Sequence, residues 1–177
     1  FIVVFYEIKQ KKGRTMTTFS NFTYEELTIG QTASMTRQVT ADDVKAFALV
    51  THDYNPAHLD NEYAEQSQFK GVIAHGMWTA GLLSALIGTK FPGLGTIYLN
   101  QSLSFRRPVH IDDTLTATLT VKSKDDSKKW VVLDCQVTNQ DGKAVVTGEA
   151  QVIPPTEKTS REAVKLDDFT LRQTFTE

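Results

Sequence analysis

The 177-residue chain is 40% hydrophobic and 23% charged, the make-up of a soluble globular domain long enough to bury a core. Its formal net charge of −2 gives no electrostatic reason to expect nucleic acid or an anionic membrane as partner. A single cysteine, Cys135, excludes an internal disulfide and suits a reducing compartment.

The opening run Phe1-Ile2-Val3-Val4-Phe5-Tyr6 is apolar but too short to span a bilayer, and it lacks the basic leader and cleavage site of a secretory signal. Met16, followed by Thr17-Thr18-Phe19-Ser20, reads as a natural start. A cytoplasmic protein is therefore expected, with residues 1–18 as an N-terminal extension, 19–154 as one domain and 155–177 as a C-terminal tail. Thr40-Ala41-Asp42-Asp43 fits a capping box, and Val44, Phe47 and Ala48 supply an apolar helical face ending near Thr51. Asp60 is a plausible N-cap for a short helix through Gln66. Met77 to Lys90 predicts a buried helix, apolar nearly all round, with Gly81, Ala85 and Gly88 on one side for close approach of another backbone.

Beyond Phe91-Pro92-Gly93 the period changes to two. Leu99, Gln101, Leu103 and Phe105 form one alternating set; Leu115, Ala117, Leu119 and Val121 a second; Val131, Leu133, Cys135 and Val137 a third. Asn139-Gln140-Asp141-Gly142 predicts a turn into a strand over residues 144–153, and Pro154-Pro155 ends it. In the tail, Leu166, Phe169 and Leu171 are expected to dock. The order predicts an α+β protein: an antiparallel curved sheet wrapped around one long apolar helix. Cys135, inside an alternating run, reads as a buried inert thiol.

The chemistry concentrates in Asp53-Tyr54-Asn55-Pro56-Ala57-His58 and Ile73-Ala74-His75-Gly76-Met77. Pro56 pushes Asn55 out of the helical region, so Asp53 and His58 are expected to project from an irregular segment. Taken alone, this reads more readily as an ordinary Asn-Pro turn than as a proton-transfer pair. Gly76 stands where a helix start exposes unpaired N–H groups, which suits a developing negative charge and equally suits small-residue packing. His75 reads as a satisfied structural histidine, and Ser84 as a polar residue that bonds back to Ala80 or faces a site. His52, Asp53, His58 and His75 match no standard zinc spacing, so no metal is expected.

With those residues in place, the chain resembles the MaoC-like (R)-specific enoyl-CoA hydratases of the hotdog fold. The resemblance rests on Asp53-x-Asn55-Pro56-x-His58, Asp60-x-x-Tyr63-Ala64, Phe69, Ile73-Ala74-His75-Gly76-Met77 and Gln101-Ser102-Leu103-Ser104-Phe105-x-x-Pro108-Val109, and runs from roughly Phe22 to Val152. It implies a single hotdog domain in which Asp53 and His58 are the catalytic pair and the Gly76 amide binds the thioester oxygen. It further implies reversible syn hydration of trans-2-enoyl-CoA to the (R)-3-hydroxyacyl-CoA. Ser84, His75, Asn55, Trp78 and Ile87 are then expected at the substrate, with Leu83 a further candidate for the acyl pocket and Arg106 or Arg107 for the CoA phosphates. No cofactor is implied, because CoA is part of the substrate. The resemblance also implies a homodimer, or a larger assembly of dimers, with the cleft at the interface. The rival expectations are dehydration of acyl-carrier-protein thioesters, a hotdog thioesterase, and a non-catalytic acyl-CoA-binding module.

Overall fold

The computed structural model describes residues 4–7, 18–163 and 170–173. In chain order the elements are β1 (Val4–Glu7), β2 (Thr18–Ser20), a 3-10 turn (Tyr24–Glu26), β3 (Thr32–Gln38), α1 (Ala41–Thr51), α2 (Pro56–Leu59), α3 (Asn61–Gln66) and α4 (Gly76–Thr89). There follow β4 (Ile97–Phe105), β5 (Thr114–Asp125), β6 (Trp130–Thr138), β7 (Ala144–Ile153), β8 (Ser160–Glu162) and β9 (Thr170–Gln173).

Five strands form one antiparallel sheet in the order β3-β5-β6-β7-β4. The period-two sets explain its buried face. Leu115, Ala117, Leu119 and Val121 of β5, and Val131, Leu133, Cys135 and Val137 of β6, all turn inward, and Leu119 lies opposite Cys135. Leu82, Leu83, Leu86 and Ile87 of α4 fill the concavity against them. This is the expected α+β arrangement of a sheet around one apolar helix. Burial raises the Cys135 thiol to about 11, as suits an inert core residue.

β7 approaches β4 so closely at Gly148 that a Cβ there would stand 1.9 Å from the Ser102 carbonyl oxygen. β3 carries too weak a pattern to be read from sequence: only Ala33 and Met35 pack partway onto the core, and it is an edge strand. β4, at the other edge, leaves Leu99 and Phe105 exposed, so its apolar alternation does not mark a core face within one chain.

Two expectations about α4 need correction. The helix is buried on one side only: Gly81, Ser84, Ala85 and Gly88 are exposed. No other part of the described chain approaches Gly81 or Gly88, where a Cβ would meet nothing within 4 Å. A wholly apolar helix can carry an open face because small residues expose little apolar area.

The outer segments pair with each other: β2 with β8 and β1 with β9, both antiparallel. Asn21, fully buried, ties the first pair to the domain. Its amide nitrogen donates to the carbonyls of Leu94 and Glu157, and its Oδ1 accepts from the Thr159 amide. Of the docking residues expected in the tail, Leu171 lies in β9 opposite Tyr6, while Leu166 and Phe169 fall outside the described residues. No helix among the described residues is long and apolar enough to cross a membrane.

Candidate active site

The Asp53 loop is delivered by α1, whose N-terminus is built as expected. The Asp43 amide donates to Thr40 Oγ1 while the Asp43 carboxylate accepts from the Thr40 amide. His52 closes the helix in the left-handed region at φ 61°, and the chain turns sharply into Asp53. Asp53 Oδ1 then accepts from the Asn55 amide at 3.3 Å.

His58 departs from expectation. The segment is not wholly irregular: Pro56 occupies the first position of the one-turn helix α2, and His58 lies on that turn. Proline excludes a helix only for residues before it; at the first helical position its fixed φ and missing N–H are compatible with one. Asn55 lies outside the helical region at φ −55° and ψ 129°, as its place before proline favours, and its side chain caps α2 by accepting from the Ala57 amide at 3.0 Å. Asn55, expected at the substrate, thus holds the turn that presents the imidazole.

His58 Nδ1 lies 2.7 Å from the Ile73 carbonyl oxygen. A carbonyl only accepts, so Nδ1 carries the hydrogen and donates, leaving Nε2 bare in the neutral ring. One carboxylate oxygen of Asp53 and one ring nitrogen from each of His58 and His75 lie within 4.8 Å of one another. A single water donating two ordinary hydrogen bonds spans about 4.5 Å between its acceptors. Carboxylate and imidazole are therefore within reach of one shared water.

His75 sits behind the pair, 2% exposed. Its ring centroid is 3.8 Å from that of His58 at an interplanar angle of 30°. Its Nε2 lies 3.0 Å from the Asp53 carbonyl oxygen, to which it donates. Burial holds its pKa below the ordinary histidine value, and the neighbouring His58 pushes the same way. Asp53, His58 and His75 have the composition of a metal site, but two of the four ring nitrogens are spent on carbonyls.

A cleft of about 310 Å³ is lined by His58, Phe69, Ile73, Gly76, Phe105, Arg106 and Arg107, among others. Gly76 is the first residue of α4, so its N–H has no partner within the helix, and it shares the cleft with His58. A Cβ at this position would stand 2.9 Å from Phe105 Cε1, so any side chain here requires that ring to shift. Arg106 and Arg107 are anchored by uncharged acceptors, Thr147 Oγ1 at 3.1 Å and the Ala144 carbonyl at 2.6 Å.

Among the expected site residues, the fold brings together Asp53, His58, His75 and Gly76. Ser84 lines a separate groove between α4 and β4 with Met77, Tyr98 and Gln101. Ile87 and Leu83 are buried in the core, while Trp78 is half-buried beneath the Arg37 guanidinium at 5.6 Å. Sequence reasoning missed the Ile73 carbonyl that orients His58, Phe47 at 5.0 Å behind His75, and Phe105 over Gly76. Phe47 carries a signal, as a member of the α1 apolar face. A backbone carbonyl leaves none.

The curved antiparallel sheet around a central helix is a hotdog arrangement, and it carries an acid and an imidazole beside the helix start. Residues 23–142 match the model of the MaoC-like domain, and the chain belongs to that family. It is 46% identical over 132 residues to the (R)-specific enoyl-CoA hydratase of Rhodospirillum rubrum, covering 75% of this chain and 91% of that one. The unliganded R-hydratase PhaJ1 of Pseudomonas aeruginosa superposes with a TM-score of 0.82 at 46% identity, covering 85% of this chain and 96% of that one. The (R)-hydratase of Aeromonas caviae, described as involved in PHA biosynthesis, gives 0.72 at 41% identity, covering 74% and 99% respectively.

Proposed function

We propose that the protein reversibly adds water across the double bond of a trans-2-enoyl-CoA, giving the (R)-3-hydroxyacyl-CoA. The observation that carries this reading is that a carboxylate oxygen of Asp53 and a ring nitrogen of His58 lie within 4.8 Å of each other, beside the helix start at Gly76. The two acceptors hold both hydrogens of one water, which turns its oxygen lone pair toward C3 of the enoyl thioester. As the C3–O bond forms, one hydrogen passes to the pair and electron density moves through C2 to the thioester oxygen. The Gly76 N–H stabilises that oxygen, a contribution of about 3 kcal/mol for a donor of this kind. Delivery of a proton from the pair to C2 then completes the addition, so atoms and charge balance without metal or redox cofactor. Positioned acid–base groups contribute about 10²–10⁴-fold.

The identity of over 40% to two (R)-hydratases supports the stereochemical assignment. The working unit is a homodimer, joined through the free edge of β4, where Ile97, Tyr98 and Leu99 are 56%, 38% and 41% exposed, and along the open face of α4. The buried free thiol of Cys135 suits a cytoplasmic setting.

The purified protein mixed with crotonyl-CoA should bleach the conjugated enoyl absorbance and yield the (R)-3-hydroxy product on chiral analysis. Release of free CoA thiol instead would identify a thioesterase, and saturable binding without turnover would identify a binding module. Either result overturns the proposal.

A further inference from the structure

His75 is an expensive residue for its place. It packs against the Phe47 and His58 rings at centroid distances of 5.0 and 3.8 Å, where an apolar ring would pack without loss of hydration. Its Nδ1 is buried with no hydrogen-bond partner, a cost that a purely packing role gives no reason to bear. The other nitrogen explains the choice. Nε2–H donates at 3.0 Å to the backbone carbonyl of Asp53 itself. One ring therefore touches both members of the pair: it pins the backbone that carries the carboxylate and forms the wall against which the second imidazole lies. Its own backbone is pinned as well, since the His75 carbonyl accepts from the Trp78 and Thr79 amides at the start of α4.

We infer that His75 is a positioning residue for the hydration chemistry: as the neutral Nε2–H tautomer it fixes the Asp53 backbone and the His58 ring relative to the helix start that bears Gly76. The inference rests on the function proposed above and adds to it a third histidine-motif residue that never meets the substrate. Burial, which disfavours the imidazolium, agrees with the neutral form. Loss of the donor lets the Asp53 loop drift while the cleft walls and the Gly76 amide stay in place. The kinetic consequence falls on the chemical step, because a displacement of about 1 Å costs up to about 10²-fold in rate.

The test compares His75→Phe, which keeps the ring and its bulk, with His75→Gln, whose amide N–H is as many bonds from the backbone as Nε2. Wild-type turnover of crotonyl-CoA is measured first, so failure of the proposed function is seen separately. The expected result is a kcat lower by about 10–10²-fold for His75→Phe with KM nearly unchanged, and recovery of most of kcat in His75→Gln. An equal kcat in His75→Phe and wild type, or a folded His75→Gln as poor as His75→Phe, overturns the inference. Independently of folding in either variant, ¹⁵N NMR of the histidine-labelled wild type should show His75 at neutral pH protonated on Nε2 and bare on Nδ1. The opposite tautomer, or a charged ring, overturns it without reference to any substrate.

Discussion

At the scale of single residues, the site depends on which nitrogen of His58 is bare. The Ile73 carbonyl accepts from Nδ1, so in the neutral ring Nε2 is the nitrogen left to accept. Two acceptors around one water make a hydration site, whereas an acceptor and a donor would orient the water differently. Gly76 contributes through what it lacks. In Gly76→Ala the new methyl meets Phe105, an exposed ring that can give way partly. Crotonyl-CoA hydration should fall about tenfold, less than the about 10²–10³-fold lost with a whole oxyanion donor. A circular-dichroism melt should show an unchanged fold. Undiminished turnover would mean that the helix start does not meet the thioester oxygen.

At the scale of elements, much was legible because local chemistry and tertiary packing agree. The Thr40 capping box, the Asp60 cap of α3 and the bounds of α4 follow from hydrogen-bonding side chains and helical periodicity. The inward residues of β5 and β6 follow from strict alternation. What escaped were elements whose cause lies elsewhere in the chain. β3 is held by pairing with β5, not by its own pattern, and α2 begins at a proline that sequence reasoning took as a barrier. Of the site, the Asp53, His58 and Gly76 constellation could be read from motif order; the placement of Ser84 and Ile87 away from it depends on which side of α4 faces the sheet. Gly148 offers an element-scale test. Its absent side chain admits the backbone of β4 at Ser102, and backbone cannot rotate aside as a side chain can. Gly148→Ala should lower stability by about 1–3 kcal/mol, the usual cost of overpacking, seen as a lower midpoint in urea. An unshifted midpoint would show that β4 and β7 are less tightly joined than the geometry states.

At the scale of the whole molecule, a single copy leaves unfinished surface. Among the described residues β4 has one paired edge and one open edge, Met77 is 58% exposed beside it, and nothing covers the small-residue face of α4. An exposed apolar sheet edge invites pairing with another chain, and the site lies at the end of that same helix. Wild-type protein should therefore elute and scatter light as a particle of twice the chain mass, while Leu99→Lys should release folded monomer with much reduced turnover. A wild-type monomer with full activity would contradict the proposed dimer and leave the hydratase assignment standing. The groove containing Ser84 would then be a surface feature of one chain.

The account depends most on Asp53 and His58 acting on one water as a unit, and a double-mutant cycle tests this directly. Turnover of crotonyl-CoA is measured for Asp53→Asn, His58→Gln and the double variant. Groups that work together are strongly non-additive. Each single variant should therefore lose about 10²–10⁴-fold, and the double variant should be little worse than the poorer single one. Losses that multiply, or a double variant as fast as wild type, would contradict it.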